Sequence, residues 1–199
     1  MNSAERIVPA ALALCRSLGF EAGELPLSAL IFHPEIRAIC EENSCRNYSK
    51  SWACPPAVGT LEECRERCLG YAHFLLFSRA YVLEDSWDFQ GMGEAHRDFQ
   101  RQTDRLDEAL GALGLPKPPL ILSNEGCIRC KVCTWPASPC RFPEKLHPSL
   151  EGFGFLVSEL AGAAGLSYRA KGGVTYFGAV LLPGEAGADT TEKESTKSY

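Results

Sequence analysis

The sequence predicts an α/β (or α+β) fold with a small central sheet containing parallel strands, flanking helices and two cysteine-rich metal-binding loops. Segments with helical spacing of apolar residues alternate with short apolar runs of strand type, a succession typical of strands joined through helices. The chain has 199 residues, about the length of one domain. We therefore expect a single domain over residues 1–183 and a disordered tail over 184–199, where Gly, Thr, Glu and Lys replace apolar residues.

The first half of the chain is predicted to begin with an amphipathic helix, because apolar residues recur on one helical face over 7–18. A short extended segment over 25–32 and a loop-rich stretch over 35–58 follow. The Thr-Leu-Glu-Glu sequence at the start of 60–70 is a capping-box pattern, which predicts a helix there. The apolar and aromatic run 73–83 then predicts a buried strand.

The second half is predicted to start with a polar connection over 84–97 and a helix over 99–113, which Gly and Pro terminate. A short strand over 120–122 leads directly into a second group of cysteines. Apolar residues at helical spacing predict a helix over 150–164, although the glycines inside it each cost up to about 1 kcal/mol. The last apolar run, 174–182, predicts a strand.

The composition excludes several classes of protein. The net charge of −5 provides no global basic field for nucleic acid or anionic lipid. No apolar run approaches the roughly 20 residues that a membrane-spanning helix needs. The N-terminal apolar stretch fits an amphipathic helix better than an export signal. We therefore expect a cytoplasmic protein whose ten cysteines are thiols or metal ligands rather than disulfides.

Four of these cysteines form the most specific motif of the chain, a C-x2-C-x2-C-x6-C pattern made by Cys127, Cys130, Cys133 and Cys140. Three thiolates at intervals of three residues can bind three corners of a [4Fe–4S] cluster, as in the bacterial ferredoxin run C-x2-C-x2-C-x3-C-P. The more distant fourth cysteine can close this cluster or serve another one, as it does in two-cluster ferredoxins. Zinc is the alternative, although structural zinc sites usually combine two separate pairs of cysteines.

A second, weaker group consists of Cys40, Cys45 and Cys54 in loop-like sequence. Together with the four-cysteine motif, it provides seven of the eight thiolates that two four-thiolate clusters need. Cys64 and Cys68 are candidates for the eighth, since both lie on one face of the helix predicted over 60–70. Core residues also belong on that face, so a buried hydrophobic role is favoured for both. Without an eighth ligand, the second cluster would have an open iron corner.

Four basic residues lie in or beside the four-cysteine motif. We expect them to be solvated, or else to offset the negative charge of a cluster and guide an acidic redox partner. They are Arg129, Lys131, Arg141 and Lys145.

The cysteines belong to a wider set of short motifs. These are Cys40, Cys45, Trp52-Ala-Cys54-Pro-Pro, Gly126-Cys127-x2-Cys130-x2-Cys133, Pro139-Cys140-Arg141-x-Pro143 and Pro148-Ser149-x-Glu151. In combination they resemble the predicted metal-binding proteins of a bacterial and archaeal domain of unknown function. The resemblance covers residues 35–182 and implies a cysteine-ligated metal, with iron–sulfur favoured and one or two sites. It implies no reaction.

The function expected from the sequence is that of an iron–sulfur protein with one or two [4Fe–4S] clusters. It would act in electron transfer or as a redox accessory, together with a redox partner protein. An enzyme that presents the open iron of a three-cysteine cluster to its substrate is one alternative. A zinc-stabilised interaction module is the other.

Overall fold

A computed structural model describes residues 4–124 and 126–184 of the chain. Apart from its first residue, the tail predicted over 184–199 lies outside the described residues. The helices and strands of the described residues are, in chain order, α1 (Ala4–Ser17), β1 (Glu21–Leu25), α2 (Pro34–Glu41), α3 (Leu61–Leu69), β2 (His73–Val82), α4 (Phe89–Gly111), β3 (Leu120–Ser123), α5 (Val157–Ala163) and β4 (Gly173–Leu182).

The strands form an antiparallel sheet in the order β1-β2-β4-β3. β2 and β4 pair along their whole length, from His73 opposite Leu182 to Val82 opposite Gly173. The prediction of parallel strands in the sheet is therefore wrong. β2 and β3 point the same way and are joined through α4, but β4 inserts between them and is antiparallel to both. An apolar run identifies a strand without showing where it pairs, so the sequence did not reveal this insertion.

Helices cover both faces of the sheet, which gives the protein three layers. Successive side chains of a strand point to opposite faces, and neighbours in β2 accordingly enter two different cores. Leu75 and Phe77 pack with α1 and α4, whereas Phe74 and Leu76 pack with α3 and α5. Burial on both faces explains why residues 74–77 of β2 are all apolar, whereas the second half of the strand contains Ser78 and Arg79 and is more exposed.

Side chains that cap the backbone fix the starts of α3 and α4. α3 begins as predicted: the Thr60 hydroxyl accepts a hydrogen bond from the Glu63 N–H (3.2 Å), and the Glu63 carboxylate accepts one from the Thr60 N–H (2.6 Å). α4 begins well before the predicted 99–113, because the Asp88 carboxylate caps it by accepting a hydrogen bond from the Gly91 N–H (2.7 Å). The sequence favours a connection at this point, since glycine is a poor helix former.

Three other predicted segments differ from the structure. β1 ends where the extended segment 25–32 is predicted to begin, and α2 occupies the start of the loop-rich stretch 35–58. The helix predicted over 150–164 is broken, because Gly154 adopts a left-handed conformation (φ 82°) just before α5. A Cβ atom at Gly154 would lie 2.7 Å from Leu61 Cδ1, so both the backbone and the packing require glycine here.

Replacing this glycine is expected to destabilise the fold. We expect Gly154→Ala to lower the free energy of unfolding by about 1–3 kcal/mol, because it adds strain and a steric overlap. Gly162→Ala is the matched control: Gly162 lies inside α5, where the added Cβ has no neighbour within 4 Å outside its own helix. There alanine should raise stability by about 0.5–1 kcal/mol. Urea unfolding measures both changes, and equal stability of the two variants would contradict the left-handed break.

Candidate metal centres

The four cysteines of the C-x2-C-x2-C-x6-C motif line one small cavity. Its walls come from the loop after β3 and from Ser51 and Trp52 of an earlier segment. All four side chains are partly buried, and they enclose about 20 Å³, close to the space that one water molecule needs. A larger bound group would therefore push the thiols apart. We call this cavity the four-cysteine site; its cysteines are Cys127, Cys130, Cys133 and Cys140.

Acidic residues of α4 hold the loop of the four-cysteine site in place. Arg129 donates hydrogen bonds of 2.8 and 2.6 Å to the Asp104 carboxylate, and the two side chains are only 16% and 14% exposed. Glu108, one helical turn further along, pairs with Lys145 at 3.2 Å in a much more exposed position. Of the four basic residues of this motif, Arg129 is therefore largely buried in a pair with α4, whereas Lys145 pairs with α4 in a more exposed position.

Two buried N–H groups of this loop have no hydrogen-bond partner within the described part of the chain: Arg129 Nε and the indole Nε1 of Trp135. Trp135 packs edge-on against Trp52, with ring centroids 4.7 Å apart, and Trp52 lines the cavity. An unsatisfied buried donor costs about 1–3 kcal/mol. The sulfurs of an iron–sulfur cluster accept hydrogen bonds from the protein, and of these two side chains Arg129 lines the cavity together with the thiols.

The other three predicted ligands line a second, larger cavity of about 340 Å³. Cys40 lies in the last turn of α2, Cys45 follows in the next turn of the chain, and Cys54 is buried. We call this cavity the three-cysteine site. Its walls also include two isoleucines of α2 and several polar side chains, namely Ile36, Ile39, Ser44, Asn47, Tyr48, Asn124, Ser149 and Glu151.

The backbone around Cys45 is unusual. Asn43, Arg46 and Ser49 all have a positive φ, at 57°, 63° and 55°. Each such residue costs on the order of 1–3 kcal/mol, and such conformations cluster at binding and catalytic sites. The Asn43 side chain supports this turn by accepting a hydrogen bond of 3.0 Å from the Tyr48 N–H. The segment is therefore held in a strained shape that presents Cys45 to the cavity.

Burial raises the pKa of the Cys40 thiol to about 11 and that of Cys54 to about 12. Negative charge from neighbouring thiols and from Glu151 raises the pKa of both further. In the four-cysteine site, burial also raises the pKa of Cys127. These thiols are therefore protonated at neutral pH in the metal-free protein. A metal must displace their protons, so its affinity rises with pH.

The remaining three cysteines, Cys15, Cys64 and Cys68, are fully buried and line neither cavity. Cys64 and Cys68 project from α3 into the core beneath the sheet, and the Cys64 thiol donates a hydrogen bond to the Val58 carbonyl at 3.5 Å. Burial raises the pKa of Cys68 to about 12. Both candidates for an eighth thiolate are thus core residues, the role that the sequence favours for them.

The two cavities share a wall. Gly126 lines the three-cysteine site, and the next residue, Cys127, lines the four-cysteine site, with a Cα–Cα separation of about 3.8 Å. In the same way, Trp52 lines the four-cysteine site and Cys54 lines the three-cysteine site. Within residues 4–124 and 126–184, no three His, Cys, Asp or Glu side chains converge closely enough to hold a single metal ion. The cysteines instead surround two neighbouring spaces.

Sequence reasoning assigned no role to two residues of these sites. Glu151 reaches the three-cysteine site from a distant segment; its signal in the sequence is the Pro148-Ser149-x-Glu151 motif. Asp104 holds the four-cysteine loop through Arg129. The excess of basic residues in that loop indicated an acidic partner, but not that this partner belongs to the same chain.

An α+β domain with two adjacent cysteine-lined cavities has the features of a metal-binding protein. The chain belongs to the family described as predicted metal-binding protein (DUF2284), a domain of unknown function, whose model matches residues 23–182. This match confirms the resemblance stated from the motifs; it specifies neither the metal nor a reaction. Searches of the curated proteins and of the solved structures each gave no significant match. Among the described residues, no helix has the length and apolar character needed to cross a membrane.

Proposed function

We propose that this protein is an iron–sulfur protein that binds two [4Fe–4S] clusters, one at each cysteine-lined cavity, and that it transfers electrons. The observation that carries this proposal is the sorting of seven of the ten cysteines into two cavities that share a wall. The motif C-x2-C-x2-C supports a cluster at the four-cysteine site. All ten cysteines are free thiols, which fits a reducing, cytoplasmic location.

The residues around the four-cysteine site have a defined task in this function. A bound [4Fe–4S] cluster supplies reversible one-electron transfer. Arg129, fixed by Asp104, brings a positive charge to the wall of the cavity, and a nearby positive charge raises the reduction potential of an anionic cluster. Trp52 places a large aromatic ring in the wall of the cavity.

The exposed rim of the four-cysteine site supports a redox partner with an acidic surface. Three apolar side chains of this loop, Ile128, Val132 and Phe142, are exposed. Lys131 and Arg141 are exposed beside them. Exposed apolar side chains beside positive charges favour association with a negatively charged protein surface. We propose that electrons enter or leave the chain here.

Anaerobic purification tests the proposal. The protein should contain about eight irons per chain and a matching amount of acid-labile sulfide. It should also show the broad visible absorption of an iron–sulfur protein, which dithionite bleaches. Stoichiometric zinc without sulfide would contradict the proposal and support a zinc-stabilised module.

A further inference from the structure

We propose that the carboxylate of Glu151 is the fourth protein ligand of the cluster at the three-cysteine site. This inference rests on the proposed function, since it requires a cluster at that site. It assigns the eighth ligand to an oxygen donor, although the sequence places this residue far from the three cysteines.

The first support is the position of the side chain. Glu151 lines the same cavity of about 340 Å³ as Cys40, Cys45 and Cys54. The other candidates for this ligand, the thiols of α3, are buried in the core instead.

The second support is the bracing of Glu151 against the segments that carry the cysteines. The Ser149 N–H donates a hydrogen bond of 2.8 Å to the carbonyl of Ala53, the neighbour of Cys54. Gly152 packs so closely on Pro55 that an added Cβ would lie 3.2 Å from its Cδ atom. The short helical turn that begins at Glu151 is thereby fixed beside Cys54.

A third contact braces the same turn against the segment of Cys40. Arg37, one helical turn before Cys40 in α2, donates a hydrogen bond to the Gly152 carbonyl. The same guanidinium also bonds the Gly59 carbonyl. The backbone on the C-terminal side of Glu151 is thus tied to α2, and that on its N-terminal side is tied to the segment of Cys54. Such bracing is typical of a metal ligand, whose orientation depends on its surroundings.

Iron–sulfur clusters accept ligands other than cysteine, as histidine in Rieske centres shows. A carboxylate is a harder donor than a thiolate and matches the soft iron–sulfur core less well. The iron bound to Glu151 should therefore be the most labile of its cluster. A one-electron oxidant such as ferricyanide takes one electron from the [4Fe–4S]2+ cluster. The resulting [4Fe–4S]3+ cluster releases one Fe2+ and leaves [3Fe–4S]+, which is detected by its EPR signal.

The test uses the full chain with Cys130→Ala, in which only the cluster of the three-cysteine site is expected to remain. Variants Glu151→Gln and Glu151→Cys are compared with the Cys130→Ala parent after anaerobic purification. Changes in outer-shell residues already alter metal affinity by about 10–100-fold. We therefore expect Glu151→Gln to form the three-iron species at least tenfold faster than the parent, and Glu151→Cys at least tenfold more slowly.

Glu41→Gln is the matched control. Glu41 follows Cys40, so its replacement by glutamine removes the same charge near the same thiol. Glu41 does not line the three-cysteine cavity. It should convert at the rate of the parent. A cluster that converts at one rate in all four proteins would overturn the assignment of Glu151 and leave the proposed function intact. Wild-type protein without acid-labile sulfide would instead refute the proposed function.

Discussion

Replacing Cys130 by alanine is expected to remove about four of eight irons per chain, whereas Cys45→Ala should remove the other four. Alanine provides no donor atom, and each cysteine lines only one of the two cavities. Cys45 is exposed and Cys130 is partly buried, so neither change opens the hydrophobic core. Iron and sulfide analysis of the two variants and of the double variant measures the effect.

Cys64→Ala is the control for this experiment. The same substitution removes a thiol that is fully buried in the core, so the variant should keep all its iron while losing some thermal stability. Loss of iron from Cys64→Ala, or loss of all iron from either single site variant, would contradict two separate clusters with the ligands assigned above.

Asp104→Ala is expected to lower the stability of the fold substantially. Arg129 would remain largely buried without its counter-charge, and breaking a buried pair in this way costs about 3 kcal/mol or more. Glu108→Ala is the matched control on the next turn of α4, because its pair with Lys145 is exposed to solvent. Its expected cost is below about 1 kcal/mol.

Urea unfolding of the metal-free proteins measures both values. In the loaded protein, Asp104→Ala should also shorten the lifetime of the cluster at the four-cysteine site, since the loop loses its attachment to α4. Equal unfolding energies for the two variants would show that the Arg129 pair does not hold this loop.

Local signals in the sequence were sufficient where neighbouring residues determine the structure. The capping box starts α3, and the apolar run over 73–83 is β2 because helices bury both faces of that strand. Local sequence signals did not predict the structure where contacts between distant segments determine it. The direction of strand pairing depends on β4, which inserts between two earlier strands. The break at Gly154 depends on the packing of Leu61 from α3.

The same distinction applies to the candidate sites. Spacing alone grouped the cysteines as the cavities group them, because each set lies within a short segment. Spacing could not place Glu151 beside Cys54, nor Asp104 beside Arg129, because these contacts cross the chain. Helical spacing placed Cys64 and Cys68 on one face of their helix. The structure shows that this face packs against the sheet, so both thiols lie in the core.

The insertion of β4 also has a consequence for biosynthesis. β3 pairs with β4 and leads directly into the four-cysteine loop, yet β4 is the last strand of the described chain. A nascent chain cannot fix the start of this loop until residues near 182 have left the ribosome. Its thiols therefore remain unprotected from the synthesis of the loop until β4 has been made. A cluster that needs the completed loop must form after β4 has paired with β3, and until then the cysteines depend on the reducing state of their compartment.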